Sequence, residues 1–279
     1  MPTLTRLPPA SYFGVSAVFH YLGPSLAVLL FAHVDVLGVA WLRIVSAAVV
    51  LGLWRRPWRL VSRIDPAQRW VLLALGMVLA AMNALFYLAV DRLPLATVGA
   101  VEFLGTIVLA AVGTRTQRNL LALLITVGGV VALTEVRLGG EAIGFLFAFG
   151  NCALFMLYVM LGHRTAHDGS ASGIDQLAAA MLFAAVVATP FGLVQALPVF
   201  AHPLWLAWGV GVGVCSSVIP YVADQLAMAR LPRAAFALML ALLPAAATVL
   251  GLVVLRQVPT LTDLLGIGLV ITGVAVRRD

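Results

Sequence analysis

Val36-Leu37-Gly38-Val39-Ala40-Trp41-Leu42-Arg43-Ile44-Val45-Ser46-Ala47-Ala48-Val49-Val50-Leu51-Gly52-Leu53-Trp54 carries a single charge, Arg43, near its middle. As a helix this stretch rises about 28 Å, close to the ~30 Å hydrocarbon thickness of a bilayer. A charge at such depth costs roughly 2.5–3.5 kcal/mol on insertion scales unless it is paired or faces a wet cavity. The stretch therefore reads as a membrane span, and its Arg as a residue kept for a purpose.

The rest of the chain repeats the pattern. Of 279 residues, 63% are hydrophobic and only 10% charged, and the mean hydropathy is +1.08, too much apolar surface for a soluble domain of this length to bury. About ten segments of near-spanning length follow one another, roughly 12–31, 36–54, 70–90, 95–113, 120–136, 143–163, 176–196, 204–228, 234–255 and 263–276. Their apolar residues lie all round rather than alternating, which predicts helices and not barrel strands. The first apolar run is long enough to span and is expected to be retained, with no cleaved leader.

Every one of the 17 basic residues is Arg. With the N-terminus inside, 13 of them fall in cytoplasmic segments and only Arg92, Arg137 and Arg256 in outer loops, which places both termini in the cytoplasm. The net charge of +6 is explained by this distribution, so no nucleic-acid partner is expected. Cys152 and Cys215 both lie in apolar runs, which supports neither a disulfide framework nor a metal site. No H-E-x-x-H, G-x-S-x-G, phosphate loop or paired-aspartate motif occurs, so the chain is not read as an enzyme and no cofactor is expected.

An internal repeat divides the chain. Arg92-Leu93-Pro94 before the fourth segment recurs as Arg230-Leu231-Pro232 before the ninth, and Leu120-Leu121 with Gly129-Val130 recurs as Leu264-Leu265 with Gly273-Val274. The fold expected is an all-α membrane protein of about ten transmembrane helices in two five-helix halves, 1–136 and 137–279. An odd number of helices per half inverts the second relative to the first, the architecture of many secondary transporters.

Depth singles out the candidate site. Arg43, Asn83 and Glu102 each lie about seven residues, or roughly 10 Å, below the outer ends of the second, third and fourth segments. Tyr87 is one turn above Asn83 on the same face. Two readings stay open: an Arg43–Glu102 pair that locks helices together, or a site in which Arg43 takes an anionic group and Glu102 an ammonium or a proton. Asp224 follows Pro220 and Tyr221 in the eighth segment and is expected near the cytoplasmic end, in a solvated position, with a possible part in proton coupling. Pro220 frees the carbonyl of Ser216 and bends its helix. His20 and Tyr21, beside Pro24, are candidates to line the cavity, and Asn151 and Tyr158 share one face of the sixth segment.

Several runs taken together resemble the EamA-type branch of the drug/metabolite transporters, most closely its threonine/homoserine exporters. They are Gly38-Val39-x-x-Leu42-Arg43 with Pro57-Trp58-Arg59-Leu60, Met82-Asn83-x-Leu85-Phe86-Tyr87-Leu88, Leu93-Pro94-Leu95, Val101-Glu102-Phe103-x-Gly105, Pro220-Tyr221 and Arg230-Leu231-Pro232. The resemblance implies a multi-pass protein of the bacterial inner membrane that exports amino acids or similar metabolites with protons as the partner ion; a monomer or a homodimer is expected. The candidate substrate contacts read from the residues are Arg43, Asn83, Tyr87, Glu102, His20, Tyr21 and Tyr221, with Glu102 and Asp224 as the candidates to handle protons. The chain departs from the family pattern at Thr106, where Pro is usual, and at Leu243-Pro244 and Arg256-Gln257, where Glu-Pro and Gly-Glu are usual. Val28 stands where a Lys is often seen. Drug efflux, uptake and lipid-carrier flipping are the alternative readings.

Overall fold

The computed structural model describes residues 9–113, 116–135, 141–167, 172–228 and 243–276. Among these the chain is helical, with no strand. The elements are α1 (Pro9–Leu30), α2 (Val36–Arg55), a one-turn α3 (Trp58–Val61), α4 (Pro66–Val90), α5 (Leu95–Gly113) and α6 (Gln117–Glu135). They continue as α7 (Ala142–His167), α8 (Gly173–Ala196), α9 (Pro203–Gly213), α10 (Ile219–Met228), α11 (Leu243–Leu255) and α12 (Leu261–Val276). Five segments are long and apolar enough to cross a membrane among the described residues: Val36–Arg55, Pro66–Val90, Ala142–Gly162, Gly173–Ala201 and Pro203–Leu226. The expected boundary between the halves at 136/137 and the Arg230-Leu231-Pro232 run lie outside the described residues.

Capping chemistry sets the helix starts. The Asp35 carboxylate accepts from the Leu37 N–H at 2.9 Å and opens α2. Asp65 accepts from the Gln68 N–H at 2.8 Å with Pro66 at the first helical position, so α4 begins four residues before the apolar run suggests. Ser172 caps α8, and Arg55 bonds Asp175 in its first turn at 2.6 Å. The short α3 is not anticipated by span-seeking; it carries Trp58 and Arg59 beside the end of α2, and Trp58 is exposed, the composition of a membrane–water boundary.

Most large side chains that point outward are apolar. Leu53, Trp70, Val186, Phe191, Leu204 and Val253 are all strongly exposed, a surface suited to lipid and not to water. Inside, helices approach at small residues, which is how close packing is reached without a hydrophobic driving force between spans. Gly38 meets the backbone of Gln195, and Gly192 meets Trp41, so α2 and α8 run in close contact. The other extensive pairings are α4 with α7 and α8, α1 with α10 and α11, α5 with α7, α2 with α9, and α6 with α12. Tyr21, Tyr87 and Tyr221 are among the largest fully buried side chains, and all three sit around one central layer.

Candidate functional site

Between α9 and α10 the chain makes a turn of π-helix, Val214–Val218, and this irregularity builds the site. Pro220 has no N–H, so the Ser216 carbonyl four residues earlier loses its helical partner. Arg43 replaces it. Its Nη2 donates to the Ser216 carbonyl at 2.8 Å, and its Nε donates to Ser217 Oγ at 2.9 Å. Two glycines permit the approach: a Cβ on Gly213 would stand 2.8 Å from the Arg43 carbonyl, and one on Gly23 would stand 2.6 Å from the Ser216 nitrogen.

Arg43 is only 4% exposed, and its guanidinium lies over the Tyr87 ring, 5.2 Å from the centroid. No carboxylate comes within 4.0 Å of it among the described residues. The structural Arg43–Glu102 ion pair considered above is therefore not formed. A carbonyl, a hydroxyl and an aromatic face hold the cation instead, and its Nη1 has no hydrogen-bond partner among the described residues.

Glu102, 3% exposed, is likewise held by neutral groups. Asn151 Nδ2 donates to its Oε1 at 3.1 Å, and Tyr21 Oη donates to its Oε2 at 3.3 Å. Arg43 and Glu102 line one cavity together with His20, Asn83, Asn151 and Tyr221, and with Phe86 and Phe155 as apolar wall. Its volume is about 10 Å³, room for about one water molecule. Around it His20 Nδ1, Asn151 Oδ1, Tyr87 Oη and Ser216 Oγ are buried with no hydrogen-bond partner among the described residues. Each such atom costs about 1–3 kcal/mol, so their clustering at two buried charges marks a place where a polar guest belongs.

The residues singled out from sequence distribute as follows. Arg43, Asn83, Glu102, His20 and Tyr221 all line the cavity. Asn83 also donates to the Leu79 carbonyl at 2.7 Å, and Tyr221 meets its side chain. Tyr21 and Tyr87 stand one layer back, Tyr21 bonded to Glu102 and Tyr87 beneath Arg43. The solvated position expected for Asp224 from its place near a helix end is not found. Asp224 is buried and accepts from Ser16 Oγ of α1, which crosses α10 there. The Tyr158 ring lies 5.8 Å from that of Tyr221, which connects the cavity wall towards Asp224. Asn151, a minor candidate in the sequence, is a direct partner of Glu102, and Ser217 was not singled out as a partner of Arg43 at all. A separate, almost wholly apolar cavity of about 230 Å³ lies between α2, α4 and α8, lined by Trp41 and Phe191 among others.

The EamA-like transporter family model matches residues 142–277. The threonine/homoserine exporter RhtA of Salmonella typhimurium strain LT2 is 34% identical over 217 residues, covering 75% of this chain and 70% of that protein. The exporter RhtA of Escherichia coli K12 is 32% identical over 213 residues with the same coverage. The chain belongs to the EamA-like transporter family. It is a membrane-embedded transporter, and its relatives are not enzymes. A solved crystal structure of a protein 20% identical in sequence superposes with a TM-score of 0.66 over 96% of both chains, which supports the same overall fold. EamA membership and the cavity between buried charges point to the same kind of activity.

Proposed function

We propose that this chain exports a small zwitterionic metabolite, an amino acid of the threonine or homoserine kind, across the bacterial inner membrane by alternating access coupled to protons. The observation that carries the reading is a cavity lined by a buried cation and a buried carboxylate that do not pair with each other. Arg43 Nη1 is free to take the substrate carboxylate, as a planar donor suits it. Glu102 takes the ammonium, or a proton when the ammonium is absent, and competition between the two couples their fluxes. Asn83 and Asn151 orient the ligand, as do His20 and Tyr221, while Tyr21 and Tyr87 hold the two charged side chains in place. The exporters to which the chain is similar act on this substrate class by name.

Two inverted halves of five helices, 1–136 and 137–279, give the cavity its place at the midplane. The helix partners support this because they are reciprocal. If α1 corresponds to α7, α2 to α8, α4 to the α9–α10 span, α5 to α11 and α6 to α12, the most extensive pairings have counterparts. Thus α4–α7 mirrors α1–α10, α5–α7 mirrors α1–α11, α4–α8 mirrors α2–α9, and α2–α8 and α6–α12 map onto themselves. The excess of Arg at one end supports cytoplasmic termini, with the α4–α5 and α11–α12 connections outside. Asp224 then lies on the inner side of the cavity and passes protons between it and the cytoplasm.

The test is efflux from proteoliposomes loaded with a panel of radiolabelled amino acids, with and without a pH gradient. Threonine or homoserine is expected to leave fastest, driven by the gradient, and Glu102→Gln to abolish the response while the protein still inserts. Gradient-insensitive efflux by the wild type, or wild-type efflux by Glu102→Gln, sinks the reading.

A further inference from the structure

A second polar cavity, of about 230 Å³, opens where α5 begins and α11 ends. Thr97, Thr248, Gln257 and Asp263 line it, with Pro94 and Gly251. Thr97 and Asp263 are buried, at 1% and 5% exposure. Part of the polar lining is structural: Asp263 Oδ2 accepts from the Thr260 hydroxyl at 2.8 Å and its N–H at 2.9 Å, capping α12, and Gln257 Oε1 accepts from the Leu95 N–H at 3.2 Å. The volume between them is not needed for capping, and it is large enough for several waters.

This cavity and the central one lie on the same pair of helices, at successive levels. A Cβ on Gly251 would lie 3.9 Å from Leu95 Cβ, which sets the outer level. One turn deeper on both helices, a Cβ on Gly99 would lie 3.2 Å from Ala247 Cβ and 2.9 Å from Tyr21 Oη. One turn deeper again stands Glu102, with Leu243 opposite in register. Four residues of helix rise about 6 Å, so the two cavities are separated by about one helical turn of material. That layer is dry: Tyr21, Val98 and Ala247 are fully buried. Gly99 is needed there, because any side chain would evict the phenol that reaches past it to Glu102.

We infer that Tyr21 is the outer plug of the transport path and that the cavity at Thr97, Thr248 and Asp263 is an exit subsite for the zwitterion. The inference rests on the export reading above. The latch is the Tyr21–Glu102 hydrogen bond. A substrate ammonium or a proton on Glu102 draws off its negative charge and weakens it as an acceptor, the phenol swings away, and the ligand moves one turn outward. There Asp263 and the two threonine hydroxyls receive the ammonium, and α5 and α11 keep the walls continuous.

Single cysteines test this in a chain with Cys152→Ala and Cys215→Ala, reconstituted whole in proteoliposomes and treated outside with a membrane-impermeant thiol reagent. Ala96→Cys, at a half-buried position on the lining of the outer cavity, is expected to label readily. Ala247→Cys should label about tenfold more slowly, because the open state that exposes it is a minority. Adding Tyr21→Ala should remove that difference. If Tyr21→Ala does not insert, Tyr21→Phe keeps the ring, loses the latch and should raise the deep rate about threefold by the same population argument. Millimolar threonine should slow labelling of Ala96→Cys, and Asp263→Asn should abolish the protection. Equal labelling at both depths, or a deep rate that no Tyr21 variant changes, overturns the plug; absence of threonine protection overturns the subsite. Threonine efflux with an unresponsive deep cysteine leaves export standing without the plug, whereas the layered pattern without amino-acid efflux does the reverse.

Discussion

The first half of the chain brings charge to the central cavity, and the second half brings neutral hydrogen-bonding groups to receive it. Arg43 of α2 rests on Ser216 and Ser217 beside the π turn, and Glu102 of α5 rests on Asn151 of α7. The position in α11 at Leu243, where an acid is usual in the family, is filled by a buried apolar side chain. Neutral partners solve a problem that an ion pair would not. Two charges locked together would present little to a ligand, and separating them would cost several kcal/mol in a buried setting. Held apart by carbonyl, hydroxyl and amide, both face the same small space.

The contrast is broken most severely at Arg43. Arg43→Ala removes the anion-binding group and strands the Ser216 carbonyl, so efflux should fall by at least about a hundredfold, the effect of losing about 3 kcal/mol from a buried charged contact. Arg43→Lys keeps the charge but lacks the planar fork that reaches the Ser216 carbonyl and Ser217 Oγ together, so it should restore only a minor part. Initial rates in proteoliposomes, with insertion checked by gel filtration in detergent, decide it. Full activity in Arg43→Lys would mean that charge alone matters and that the second half's scaffold is incidental.

Next comes the pair of carboxylates. Glu102 lies in the cavity, whereas Asp224 lies beyond Tyr221 and is held by Ser16. If Asp224 conducts protons without touching substrate, Asp224→Asn should slow net efflux about tenfold and leave amino-acid exchange, which moves no net proton, near the wild-type rate. Equal loss of exchange and net efflux would make Asp224 a structural or substrate-facing residue.

Much of this was legible in the sequence, for a physical reason. A charge in an apolar run is costly, so Arg43 and Glu102 stand out, and helical rise alone puts them and Asn83 at one depth. The missing half of the site had weaker signals. Ser216 and Ser217 are small and bear no charge, and serine is unremarkable in a span because it can satisfy itself against its own helix. Asn151 was visible as a polar residue in α7, but its pairing with Glu102 depends on how α5 and α7 pack, which spacing along the chain does not encode. Asp224 was misplaced because distance from a helix end was read as solvation, while the crossing of α1 over α10 covers it. The sequence did mark Pro220 as freeing the Ser216 carbonyl; which side chain would claim it was a matter of tertiary structure.

That carbonyl offers a milder break. Pro220→Ala restores an N–H four residues after Ser216, so the helix can close its own bond and the π turn loses its cause. Arg43 then shares or loses the contact now measured at 2.8 Å. Stability should rise or hold, while efflux falls about threefold to tenfold, short of the roughly 13-fold that full loss of one hydrogen bond to a charged group at about 1.5 kcal/mol would give, because the contact is shared before it is lost. Thermal unfolding together with transport rates separates this from simple damage, which would lower both.

The smallest expected effect is at Asn151. It is fully buried, its amide donates to Glu102, and its Oδ1 has no partner among the described residues. Removing it in Asn151→Ala takes away one neutral hydrogen bond to the carboxylate but leaves that of Tyr21, a loss of about 1 kcal/mol and about fivefold in apparent affinity. Asn151→Asp has a similar shape and the opposite consequence. It sets a second carboxylate against Glu102, so one of the two must hold a proton, and the dependence of efflux on the pH gradient should change more than its maximal rate. If Asn151→Ala and Asn151→Asp lower efflux equally with no change in gradient dependence, Asn151 serves packing. A fivefold change in affinity confined to Ala, with altered coupling confined to Asp, places the second half's amide among the groups that set what Glu102 binds.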